Sequence, residues 1–159
     1  MRAYERLDQL TAPQRVAIVG ASDNPTRIGG RPISYMLNHG YTGQIFPVNP
    51  KNETIQGLPA YAQISEIQEE IDFALIAVKS TMVAEQVRAA AQKGARTALI
   101  FSSGFAEMDA SGRTLQEELV EIGNNTGIRI LGPNCLGLFN AQSCFSLLLR
   151  LRLIAQNQK

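Results

Sequence analysis

Residues 16–30 read VAIVGASDNPTRIGG: four apolar residues that break into small and polar ones and close on a glycine pair. Val16–Val19 is uniformly apolar, as a strand covered on both faces should be. The break after it is the arrangement by which a parallel α/β sheet turns backbone N–H groups toward a phosphate at the start of a helix. The run contains no G-x-G-x-x-G. The next strand ends in Pro47-Val48-Asn49-Pro50-Lys51, where a dinucleotide site would place an acid for its ribose hydroxyls. A lysine there suits a ligand with an additional phosphate on the ribose.

The same alternation continues along the chain. Pro32 opens a helix at its first position, Ile33, Met36 and Leu37 form one face, and Gly40 stops it. Ile45–Val48, Phe73–Val78, Thr97–Phe101 and Ile128–Leu131 are further strands, and a short helix is predicted near Ile64–Glu69. Val83, Val87 and Ala90 mark a helix over 82–93. Leu115, Leu119 and Ile122 mark another, with Thr114-x-x-Glu117 as its expected capping box. Strands alternating with helices through short loops predict a single α/β domain, a Rossmann-like doubly wound parallel sheet. The expected organisation is an N-terminal helical segment at 1–12, the ligand-binding domain at 13–140 and a tail at 141–159. That tail, with Leu147-Leu148-Leu149-Arg150-Leu151-Arg152-Leu153-Ile154, reads either as a closing amphipathic helix or as a truncated or non-native end.

Composition narrows the function. The 159 residues suit one domain; 45% are hydrophobic and 18% charged, too apolar for a disordered chain. Fifteen basic residues stand against 14 acidic ones, for a net charge of +1. That balance gives no basic footprint for nucleic acid or an anionic membrane. Cys135 and Cys144 make no disulfide framework. No apolar run reaches the length of a membrane span, and the charged first ten residues do not resemble a secretory signal. A cytoplasmic protein is expected.

Ligands of open parallel sheets bind at the carboxyl ends of the strands. After the first strand, Gly20-Ala21-Ser22 lets the backbone approach, with Asp23, Asn24 and Pro25 following and Arg27 supplying charge. After the second, Asn49-Pro50-Lys51 is a stiff turn that fixes the lysine. Val78-Lys79 follows the third strand, where Ser80 reads equally as a helix cap. Ser102-Ser103-Gly104 follows the fourth, with groups suited to an amide-bearing ligand. Gly132-Pro133-Asn134-Cys135 follows the fifth. Coenzyme A carries both the extra ribose phosphate and the amide-bearing arm. Cys135 lacks a histidine partner for nucleophilic chemistry, since His39 falls at the end of the first helix, and reads as a small packed residue. Neither metal-ligand spacing nor an acid/base pair is present, and Glu107 and Asp109 read as solvated carboxylates.

Together these strand ends resemble the CoA-binding domain of NDP-forming acyl-CoA synthetases, relatives of the succinyl-CoA synthetase α subunit. The matching pieces are VAIVGAS (16–22), IFPVNPK (45–51), the 57–61 turn, IFSSGFAE (100–107) and ILGPNCLGLFN (130–140). The resemblance implies that Ser22 and Asp23–Pro25 line the phosphate or ribose region and that Lys51 meets the ribose-phosphate end. It places Ser102, Ser103 and Gly104 beside the pantetheine, and Asn134 and Cys135 near the thiol. Family members join an acid to CoA through acyl-phosphate and phosphohistidine intermediates, with the histidine and an ATP-grasp module in other domains or subunits. This chain is therefore expected to bind CoA or acyl-CoA without turnover and without catalytic residues of its own. A stand-alone CoA-binding or regulatory protein, the N-terminal region of a CoA-dependent protein acetyltransferase, and an NAD(P)-dependent oxidoreductase are the competing readings.

Overall fold

The computed structural model describes residues 10–148. Its centre is a five-stranded parallel sheet of order β2-β1-β5-β6-β7, from β1 (Arg15–Val19), β2 (Gln44–Val48), β5 (Phe73–Ile76), β6 (Thr97–Ile100) and β7 (Arg129–Leu131). Pro47 has no N–H to give a ladder, and it lies on β2, an edge strand where that loss is tolerated. Each central strand sends alternate side chains to opposite faces. Ala17, Val19, Ala74, Ile76, Ala98 and Ile100 meet α2 (Ser80–Gln92) and α3 (Ala110–Thr126) through Val83, Val87, Leu119 and Ile122. Val16, Ile18, Phe73, Leu75 and Leu99 face the other way, toward Ile33 and Met36 of α1 (Arg31–Asn38).

The second face corrects the sequence reading. One short helix leaves part of it uncovered, and a β-hairpin of β8 (Gly137–Asn140) and β9 (Phe145–Leu148) closes the gap. Phe145 and Leu147 are fully buried there, and the Phe145 ring stacks edge-on against Phe73 at 5.4 Å and tilted against Tyr41 at 5.8 Å. Of the two readings of 141–159, the closing helix does not hold for the described part: 141–144 form the hairpin turn and Phe145–Leu148 a strand. The rest of that stretch, from 149 on, and residues 1–9 lie outside the described residues.

Two other expectations move. The cap of α3 is Asp109, whose carboxylate accepts the Gly112 N–H at 2.8 Å, while Thr114 sits inside the helix with its hydroxyl turned back to the Ala110 carbonyl. The expected helix at 64–69 is one 3-10 turn, Ile64–Glu66, preceded by a hairpin of β3 (Thr54–Ile55) and β4 (Leu58–Pro59) that periodicity did not reveal. Below the sheet, the Asp72 carboxylate accepts from the Gln14 and Arg15 amides and from the Arg15 guanidinium at 3.0 Å. The Tyr41 phenol donates to the Pro13 carbonyl, and burial, with the Asp72 charge, pushes its ionisation far above the ordinary range.

Among the described residues no helix is long and apolar enough to cross a membrane, and no group of His, Cys, Asp and Glu is disposed to hold a metal.

Candidate functional site

The strand order reverses at β1. The chain leaves β1 for α1 on one face and β2 on one side, then returns to β5 on the other side and α2 on the opposite face. Loops diverging in this way leave a crevice above the carboxyl ends of β1 and β5, the place where such sheets receive ligands. A cleft of about 1180 Å³ occupies that position. Gly20, Ala21, Ser22, Asp23, Asn24, Arg27, Asn49, Pro50, Lys51 and Val78 line it, together with Met82, Glu85, Gln86 and Ala89 of α2 and residues 62–65.

The loop from β1 to α1 keeps this floor close to the sheet. Gly20 has φ of 81°, and a Cβ built on it would stand 2.9 Å from the Ala77 carbonyl carbon and overlap its oxygen. A Cβ on Gly29 would overlap the Gly20 carbonyl in the same way. The strand end is fastened sideways: the Gly20 and Ala21 amides donate to the Val48 carbonyl, and the Asn49 side-chain amide donates to the Ala21 carbonyl at 2.8 Å. The Asn49 carboxamide oxygen accepts the Lys51 backbone N–H at 3.0 Å, closing the turn that sets where the lysine leaves the chain. Within the loop, the Ser22 hydroxyl accepts the Asn24 N–H and Asn24 Oδ1 accepts from Thr26. The N–H groups of Asp23, Ile28 and buried Gly29 find no acceptor among the described residues. Backbone donors without partners, in a cleft that also holds Arg27 and Lys51, fit an anionic group.

Of the expected residues outside the cleft, Pro25 and Lys79 stay beside it and five others occupy a second station along the rim. Ser102, Ser103, Gly104, Asn134 and Cys135 follow β6 and β7 and do not line the cleft. The Ser102 hydroxyl donates to the Val78 carbonyl, and the Asn134 and Cys135 amides donate to the carbonyls of Ser102 and Ile100. Gly132-Pro133 is a cis peptide, and Asn134 has a φ of 55°. Cys135 is half-buried against the core, as a small packed residue. Pro25 is exposed in the β1 loop, and Lys79 is the N-cap residue of α2; Ser80 is already helical and provides no cap. His39 ends α1 with its Nδ1 2.7 Å from the Tyr35 carbonyl.

Glu107 is exposed, as a solvated carboxylate should be, but it and Gln56 also make loop-holding bonds that the sequence did not announce. The Glu107 carboxylate accepts the Gly104 N–H at 2.7 Å and the Phe105 N–H at 3.2 Å, and these bonds hold its pKa below the usual carboxylate value. Gln56, in the β3–β4 turn, binds the β1 loop from behind.

Fold and cleft together define a Rossmann-like α/β ligand-binding domain whose site sits at the switch point of a parallel sheet. Residues 14–141 match the family model described as CoA binding domain, and the chain belongs to that family. It is 38% identical over 136 residues to trans-feruloyl-CoA synthase FCS1 of an unknown prokaryotic organism, covering 86% of this chain and 19% of that protein. It is 34% identical over 137 residues to the α subunit of acetate–CoA ligase [ADP-forming] II of Pyrococcus furiosus, covering 86% of this chain and 30% of that one. The structure of dinucleotide forming acetyl-coenzyme A synthetase 1 from Ca. Korarchaeum cryptofilum superposes with a TM-score of 0.83 at 32% identity, over 90% of this chain and 31% of that one. The chain is thus homologous to part of the ADP-forming acyl-CoA synthetases and spans less than a third of each of these relatives.

Proposed function

We propose that this domain binds coenzyme A, with the diphosphate on the 20–30 loop and the 3′-phosphate of the ribose on Lys51. The observation that carries the reading is the pairing, in one cleft, of unspent loop amides with two cations and no strand-two acid. Amides and the Ser22 hydroxyl suit a diphosphate, which takes several donors at once. Lys51 supplies the cation that would meet the 3′-phosphate, a group that NAD and dephospho-CoA lack. The pantetheine arm would run from the cleft toward Ser102–Gly104 and end near Asn134 and Cys135. CoA itself supplies the thiol that carries an acyl group; the chain's residues bind and orient it.

In the larger reading, the domain is the CoA-holding part of an NDP-forming acyl-CoA ligase of the cytoplasm. Phosphohistidine and ATP-grasp chemistry would then come from other domains or subunits. Support comes from the homology to such ligases, of which this chain matches less than a third. A thermal-shift series with CoA, dephospho-CoA and NAD tests the binding. CoA at 100 times its Kd should stabilise the domain by about 2.7 kcal/mol, with NAD inert. Lys51→Ala should weaken CoA on the order of tenfold while leaving dephospho-CoA nearly unchanged in calorimetry. Equal weakening of both ligands would remove Lys51 from the 3′-phosphate, and stabilisation by NAD but not CoA would overturn the function.

A further inference from the structure

The turn joining β3 to β4 is Gln56-Gly57, and both residues have positive φ, 50° and 81°. Glycine enters that region freely, and two-residue hairpins of this kind favour Asn-Gly or Asp-Gly. Glutamine is an unfavourable choice on backbone grounds, and its side chain supplies the compensation. The Gln56 carboxamide nitrogen donates to the Ser22 carbonyl at 3.0 Å and to the Gly30 carbonyl at 2.9 Å. Its backbone N–H donates to the Asp23 carboxylate at 2.7 Å. Ser22 and Gly30 are the two ends of the loop that carries the unspent amides. Without Gln56, the bond between those ends is the Ser22 N–H to the Gly29 carbonyl at 3.4 Å, and the other loop bonds are local. Gln56 is half-buried and does not line the cleft. It acts from the loop's far side.

We propose that Gln56 is a positioning residue: the β3–β4 hairpin is a clasp that holds the 22–30 loop in its ligand-receiving shape before the ligand arrives. A donor array already in place spares the ordering cost that a loose loop meets on binding. The effect on affinity rests on the reading of this loop as the CoA diphosphate site; the clasp itself does not.

Two variants separate positioning from folding. Gln56→Gly suits the left-handed turn and removes both carboxamide bonds, leaving the backbone N–H bond to Asp23. Gln56→Asn also suits the turn and keeps an amide, but is one methylene too short to reach both carbonyls. For each, thermal unfolding, calorimetric affinity for CoA and dephospho-CoA, and hydrogen exchange of the 22–30 amides in the free protein are measured. Both variants should melt at or above the wild-type temperature and exchange faster across 22–30. They should bind both ligands roughly tenfold more weakly, by the same factor, because the clasp serves the diphosphate the two ligands share. Unchanged exchange with unchanged affinity overturns the proposal, as does a fall in melting temperature with no selective change across 22–30. If the wild type binds neither ligand, the CoA reading fails, and the exchange comparison alone then decides the clasp: faster exchange upholds it and equal exchange rejects it.

Discussion

Gly20→Ala is the substitution that most directly tests how the site is built, because two separable costs fall on one atom. The first is conformational: at φ of 81° an alanine is held in the left-handed region, at about 1–2 kcal/mol. The second is contact. The new methyl would overlap the Ala77 carbonyl, a backbone group at the end of a central strand that cannot rotate aside. Overpacking of that kind adds about 1–3 kcal/mol. Gly127→Ala supplies the control, since Gly127 has φ of 74° and nothing within 4 Å of its missing Cβ. Only the conformational cost applies there. Denaturant unfolding should therefore give Gly20→Ala a loss of about 2–5 kcal/mol against about 1–2 kcal/mol for Gly127→Ala. For a domain of this size each kcal/mol shifts Tm by about 2–4 °C, so the two variants are resolvable by melting as well. Equal losses would mean that β1 and β5 do not approach as described, and the floor of the cleft would have to be redrawn.

Two further outcomes bear on the rest of the molecule. Phe145→Ala should cost about 3–5 kcal/mol in chemical denaturation, because the ring is fully buried against Phe73 and Tyr41; a near-neutral result would detach β8–β9 from the core. Glu107 and Asp109 have carboxyls depressed by backbone and hydroxyl donors, so each is ionised more readily folded than unfolded. Their stabilisation is complete above the unfolded values of 4.5 and 3.8 and fades as pH falls through the lower folded ones. Glu107→Gln with Asp109→Asn should flatten the acid limb of the stability curve relative to wild type, and an unaltered slope would contradict the assignment.

The parallel sheet was legible in the sequence because each central strand is a continuous apolar run between turn residues, a pattern that only double-sided burial requires. The β1 and β2 strand ends were legible for the same reason: Ser22, Arg27 and Lys51 lie within a few residues of strands whose direction the alternation dictates. What escaped depends on partners far away in the chain. The Phe145–Leu148 strand hides in a leucine-rich stretch whose apolar run serves a helix as well as a strand, and only the open face beside α1 decides between them. The β3–β4 strands are two residues each, too short to show a period, and their turn carries Gln56 where Asn would have announced it. Gln56 bonds residues 26 and 34 positions earlier, a relation invisible to local spacing. The α3 cap was displaced because Thr114-x-x-Glu117 satisfies the box pattern, yet the helix begins a turn earlier at an aspartate.

Backbone amide NMR during a CoA titration tests the central claim most directly. Saturable shifts should concentrate on residues 20–30 and 49–51, with a second, smaller set at 102–104 and 134–135. Saturation with no change at 20–30, or shifts confined to another face of the domain, would contradict a diphosphate seated on the β1 loop.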